Sequence, residues 1–200
     1  QLRKYGFYGT GGMQSTDSVL SAENTILLCD IVGDQIFEVD LNGTLLRSFG
    51  KNGSGDGEFN NPQSINMDSN GRIYVSDSYN HRIQIFDRNG THLKSFGSQG
   101  SGDAQFQTPF GLTISTENEL FVADRYNHRI QVFDLNGTFL RKWGTQGSLD
   151  GQLRSPLDII IDDNGDVVVT DYDNNRIVVF DKSGQFIRKW SIQSSAWQLT

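Results

Sequence analysis

The 200-residue chain is short of several things, and each shortage excludes a class of protein. It has one cysteine, Cys29, which rules out an internal disulfide and any multi-thiolate metal cluster. No apolar run approaches the roughly 20 residues a membrane-crossing helix needs, so the chain reads as soluble, or as a soluble piece, with no membrane partner. Cations are scarce: 17 Lys and Arg stand against 24 Asp and Glu, for a formal charge of −7. A generic binder of nucleic acid or anionic lipid carries the opposite balance. The opening residues QLRKYGFYGT hold no apolar leader, so no signal peptide is expected and the cytoplasm is slightly favoured. Helical periodicity is missing from every window. What is plentiful is Gly (22) and Phe (13) against only 3 Pro, a mixture that suits many short strands joined by turns.

A 47-residue repeat organises these strands. Pro62, Pro109 and Pro156 are 47 apart, as are Asp77, Asp124 and Asp171, and Arg82, Arg129 and Arg176. Gly43, Gly90, Gly137 and Gly184 extend the series to a degenerate first copy. There Ser15 replaces the proline, and Gly33-Asp34-Gln35 replaces Asn80-His81-Arg82. The copies span approximately 4–50, 51–97, 98–144 and 145–191, with 192–200 as a tail or the start of a further strand.

Each copy predicts four strands. In the third they fall at Gly111–Ser115, Glu119–Asp124, Arg129–Asp134 and Thr138–Trp143. The Asn-Gly pairs at Asn42, Asn89 and Asn136 predict hairpins in which both turn residues take positive φ. Four antiparallel strands every 40–50 residues define a β-propeller blade. A lone sheet of this size cannot bury both faces, whereas stacked blades can. Residues 2–6 resemble a fourth strand, which raises the expected number of strands to seventeen.

The motifs divide into framework and candidate site. Asp77/Asn80/Arg82, Asp124/Asn127/Arg129 and Asp171/Asn174/Arg176 occupy the same turn in successive copies, so they read as structural. Asp and Asn there satisfy turn amides, and Arg pairs with a carboxylate. The stretch Gly53–Gly57 lacks the lysine and helix of a phosphate-binding loop. It recurs, and so reads as the connection between blades, with Phe59, Phe106 and Leu153 plugging it. His81 and His128 sit in equivalent turns without a third ligand, and His92 lies on an outer strand where exposure is expected. No metal, cofactor or catalytic residue is expected. Cys29 reads as a small buried apolar residue.

The strings Asn80-His81-Arg82-Ile83-Gln84-Ile85-Phe86-Asp87 and Asn127-His128-Arg129-Ile130-Gln131-Val132-Phe133-Asp134, with GSGDGEF at Gly53–Phe59, VSD at Val75–Asp77 and FGSQG at Phe96–Gly100, resemble NHL repeats. The resemblance implies an all-β propeller of four-stranded blades, here four, expected to form part of a larger ring of about six, with a closed four-bladed ring or two chains joined into one larger ring as the alternatives. It also implies the kind of platform found at the end of ubiquitin ligases that carry a RING finger, where it captures substrates. Some relatives bind single-stranded RNA, and others are metal-dependent lyases or lactonases.

The loops joining blades and the second-to-third-strand turns sum to a charge of −2 across the last three copies, a poor surface for phosphates. The inner strands offer no His, Glu or Asp cluster for an axial metal. The expected function is therefore a non-catalytic platform for a protein partner, with Tyr79, His81, Arg125, Tyr126, His128 and Tyr172 as the candidate contact set. Tyr and Arg are favoured interface anchors. Enzyme and RNA-binding readings are the alternatives. Open blade faces are expected to promote self-association. Sequons at Asn42, Asn52, Asn89 and Asn136 fit N-glycosylation only in a secreted chain.

Overall fold

The computed structural model describes residues 15–192, and every regular element there is a strand except three single 3-10 turns. The strands are β1 (Ser15–Leu20), β2 (Thr25–Asp30), β3 (Gln35–Asp40), β4 (Leu45–Phe49), β5 (Pro62–Met67), β6 (Ile73–Asp77), β7 (Arg82–Phe86), β8 (His92–Phe96), β9 (Pro109–Ile114), β10 (Glu119–Asp124), β11 (Arg129–Asp134), β12 (Phe139–Trp143), β13 (Pro156–Ile161), β14 (Val167–Asp171), β15 (Arg176–Phe180) and β16 (Phe186–Ser191). They form four antiparallel four-stranded sheets, each paired in chain order. The first strand of the third sheet begins two residues earlier than expected, at the repeated proline. The additional strand expected at residues 2–6 lies outside the described residues, as does the tail from 193 onward. No helix among the described residues is long and apolar enough to cross a membrane.

The described residues divide into two compact units, with the boundary between Ser98 and Gln99, each holding two sheets. In the first unit Leu27, Cys29 and Ile36 pack against Ile65, Ile73, Val75 and Phe86. In the second, Phe121, Ala123, Ile130 and Val132 pack against Ile159, Val167, Val169, Val178 and Phe180. Each side chain buried this way contributes on the order of 1.5–3 kcal/mol, and neither sheet of a pair could bury that face by itself. Phe59, Phe106 and Leu153 are fully buried where each connection closes. Parallel bridges from Asn52, Gln99 and Gln146 hold them in place.

First strands meet within each unit. Asp17 Oδ2 accepts from Ser64 Oγ at 2.5 Å and from the Ile65 N–H at 3.2 Å. At the matching position in the second unit, a Cβ on Gly111 would lie 2.6 Å from the Leu157 carbonyl oxygen and 2.8 Å from Asp158 Cα, so only glycine fits.

The hairpin expectation needs one correction. Gly43, Gly90 and Gly137 have positive φ, but Asn42, Asn89 and Asn136 do not. The cause is an aspartate two residues before each asparagine. Asp87 Oδ1 accepts the N–H groups of Asn89 (2.9 Å) and Thr91 (2.8 Å). Asp40 and Asp134 do the same at their own turns. This holds the asparagine in right-handed geometry and leaves the glycine alone in the left-handed region, with a bulge in the following pairing.

Candidate functional site

The second-to-third-strand turns are built on a buried carboxylate. Asp124, at the end of β10, is fully buried. It accepts from the Gln107 N–H (2.7 Å), Asn127 Nδ2 (2.8 Å), Arg129 Nε (2.8 Å) and Gln131 Nε2 (3.0 Å). Arg129 spends its remaining donors on the carbonyls of Ser101 (2.7 Å), Gly102 (2.8 Å) and Gln105 (2.8 Å). Asp77/Asn80/Arg82 and Asp171/Asn174/Arg176 repeat the pattern. These nine side chains fasten the turn to the loop that precedes it.

Between the fastened residues the chain makes one 3-10 turn, over Ser78–Asn80, Arg125–Asn127 and Tyr172–Asn174. His81, His128 and Asn175 follow with φ of 55°, 55° and 51°, a left-handed position that His and Asn tolerate better than most residues. The turn pushes its middle residues outward: Tyr79 is 59% exposed and Tyr126 is 49% exposed. Tyr79 and His81 belong to the first unit.

In the second unit the structure brings Arg125, Tyr126, His128 and Tyr172 into one patch. The Arg125 guanidinium carbon lies 4.8 Å from the Tyr126 ring centroid, 5.2 Å from Phe110 and 5.9 Å from Tyr172. Its Nε is buried without a hydrogen-bond acceptor. His128 Nδ1 accepts the Ser155 N–H at 3.1 Å, so its ring links the turn to the next connection. The equivalent side chain in the first unit, Asp34, accepts the Asn61 N–H at 2.6 Å. Burial holds the His128 pKa below its usual value, with Asp173 opposing the shift and Arg154 adding to it. Ser155 Oγ donates to Asp173 Oδ2 at 2.7 Å. The Asp173 N–H donates to the Arg154 carbonyl at 3.1 Å.

Phe110, Arg154, Ser155 and Asp173 were not among the expected contact residues. None lies at a repeated position with a repeated identity: Gln63 and Leu157 stand where Phe110 does. His92 also differs from expectation. It is half-buried, edge-on to Phe86 at 5.6 Å, with Nε2 at 2.8 Å from Ser95 Oγ.

A cavity of about 540 Å³ in the second unit is lined by Arg129, Lys142, Trp143 and Gln146 among others. Arg129 is committed to Asp124, and Lys142 to Asp103 at 2.6 Å. The aromatic patch differs in holding an arginine with no acidic partner among the described residues. Among the described residues no three His, Cys, Asp or Glu side chains gather in a way that could hold a metal ion.

Stacked four-stranded antiparallel sheets with this repeat are propeller blades, and comparison with known proteins agrees. Residues 112–197 match a family model described as a 6-bladed beta-propeller. The virginiamycin B lyase of Staphylococcus aureus, in its catalytically inactive form with quinupristin, superposes with a TM-score of 0.70 over 98% of this chain and 61% of its own, at 15% identity. The hydrazine synthase of Kuenenia stuttgartiensis gives 0.68 over 94% of this chain and 52% of its own, also at 15% identity. The chain thus spans about three-fifths of the lyase's length, and identities this low show the fold alone.

Sequence comparison adds the identity of one repeat. Residues 59–86 match the NHL repeat. A 48-residue segment, 24% of this chain and 4% of the relative, is 48% identical to protein lin-41 of Caenorhabditis elegans. The chain therefore carries an NHL repeat within a β-propeller fold.

Proposed function

We propose that the chain is a non-catalytic platform that captures a protein partner through its turns and connecting loops, with Arg125, Tyr126 and Tyr172 as anchors. The observation that carries this reading is the Arg125 guanidinium, held among three aromatic rings and without a carboxylate among the described residues. Rigid Tyr and Arg groups of this kind supply a large share of binding energy at protein interfaces. The NHL repeat supports the finer reading that the platform is the substrate-capturing part of a ubiquitin-ligase-like protein. The alternative, a metal-dependent lyase or lactonase, has a shared fold in its favour.

Two measurements test the platform. A photo-crosslinker replacing Tyr126 should trap a specific protein in cell extract, and one replacing the outer-strand residue Leu140 should not. Adding Arg125→Ala should abolish the product. Equilibrium dialysis with zinc and calcium separates the alternative: stoichiometric retention accompanied by turnover of a lactone or cyclic peptide ester would sink the non-catalytic reading.

A further inference from the structure

Resting on the platform reading, we infer that the captured segment is an extended peptide presenting an Asp or Glu carboxylate to Arg125 and Arg154. Carboxylates outnumber cations in this chain, and the arginines are correspondingly occupied. Arg47, Arg72, Arg82, Arg88, Arg129 and Arg141 each hold a carboxylate at 2.6–2.8 Å. Arg176 holds one at 2.6 Å, and Arg188 reaches one at 3.6 Å. Among the described residues Arg125 and Arg154 are the two arginines left without one, and the Arg154 charge acts on His128, three residues beyond Arg125. Arg125 stacks near Tyr172, and the Arg154 carbonyl accepts the N–H of the next residue, Asp173. Neither arginine sits in the basic field that a polyanion needs.

The chemistry of the patch selects the ligand. The rings of Phe110, Tyr126 and Tyr172 hold a planar guanidinium that has no carboxylate among the described residues; its Nε is buried, so a ligand would meet the terminal Nη groups. A carboxylate is the acceptor the patch lacks, and arginine binds it in bidentate geometry. Asp173, bonded to Ser155 in the same patch, adds a negative charge, so repulsion grows with ligand charge. A carboxylate meets less of it than a phosphate dianion or an RNA backbone. The exposed Tyr126 face gives the residues flanking the acid something apolar to pack on.

The test is a selection of random peptides on the immobilised 200-residue chain, followed by affinity measurement on synthetic versions. Enriched peptides should share an Asp or Glu at one position. Changing that residue to its amide, or making the double variant Arg125→Gln, Arg154→Gln, should weaken binding about tenfold or more. Arg125→Lys, which keeps the charge but not the fork, should fall between. Thermal melts show whether the variants fold, and the acid-to-amide comparison needs no variant. Enriched peptides indifferent to the acid would overturn this inference and leave the platform standing. A selection that enriches nothing would overturn both. A phosphoserine version of the peptide, or a uridine oligonucleotide, binding about tenfold tighter than the glutamate version would overturn it in favour of a phosphate ligand.

Discussion

His128 accepts, through Nδ1, the backbone N–H of Ser155, 27 residues further along the chain and 3.1 Å away. The bond requires a neutral ring, because a protonated imidazole has only donors. Burial lowers the His128 pKa below the usual value near 6.5, against the pull of Asp173. The unfolded chain then binds the proton more readily, so stability is complete above the unfolded value and is lost as pH falls through it toward the folded one. Urea midpoints should drop between pH 7.5 and 5, and the drop should shrink in His128→Asn. Equal drops in both proteins would remove His128 as the cause.

Glu38 provides a second acid sensitivity with a different window. Burial alone would raise its carboxyl, but bonds from Arg88, Thr25 and Arg47 outweigh that and hold it at about 2. Against an unfolded value near 4.3, the difference corresponds to about 3 kcal/mol of stability, present above that value and lost as pH falls to about 2. Glu38→Gln should flatten the stability profile between pH 5 and 2. An unchanged profile would show that other carboxylates dominate.

The Asp124–Arg129 pair is buried and makes hydrogen bonds in every direction. Removing one partner strands the other, at a cost of about 3–5 kcal/mol. Asp124→Asn and Arg129→Met should each reach that range in chemical denaturation, and the double variant should cost much less than their sum. Additive losses would mean that the two side chains stabilise the turn independently.

Two glycines of the fourth sheet separate backbone strain from crowding. Gly165 and Gly184 both have positive φ, 82° and 92°. A Cβ on Gly165 meets nothing within 4 Å, whereas one on Gly184 would lie 2.5 Å from the Trp143 ring. Gly165→Ala should cost about 1–2 kcal/mol from the left-handed backbone alone. Gly184→Ala should cost measurably more, and it should perturb tryptophan fluorescence, which Gly165→Ala leaves unchanged.

The framework was legible because repetition exposes it. Asp124, Asn127 and Arg129 recur at a fixed interval, and their shared task follows from their types. Gln131 completes the Asp124 shell but was unread, because Val178 replaces it in the last copy. The aspartates ahead of the Asn-Gly turns were also repeated, yet their effect depends on a carboxylate reaching two amides, which sequence order does not display. The Arg125 stack was only partly visible. Its tyrosines lie on the turns, but Phe110 comes from a different strand and has no counterpart in the other copies. Glu38 and Arg88 are 50 residues apart, and only the packing of two sheets brings them within 2.8 Å.

The fastener of each turn has a consequence for how such a chain can change length. Asp124, Arg129 and the loop carbonyls of Ser101, Gly102 and Gln105 all fall within one copy. The turn itself passes one acceptor to the next copy, as when His128 Nδ1 reaches the Ser155 amide. At this turn a copy therefore carries its own means of closure and asks its neighbour for a backbone N–H, which any residue but proline supplies, whereas contacts such as Arg88 on Glu38 depend on the neighbour's side chain. Duplication or loss of a whole 47-residue cassette preserves every internal fastener, whereas a cut inside one severs an arginine from its loop.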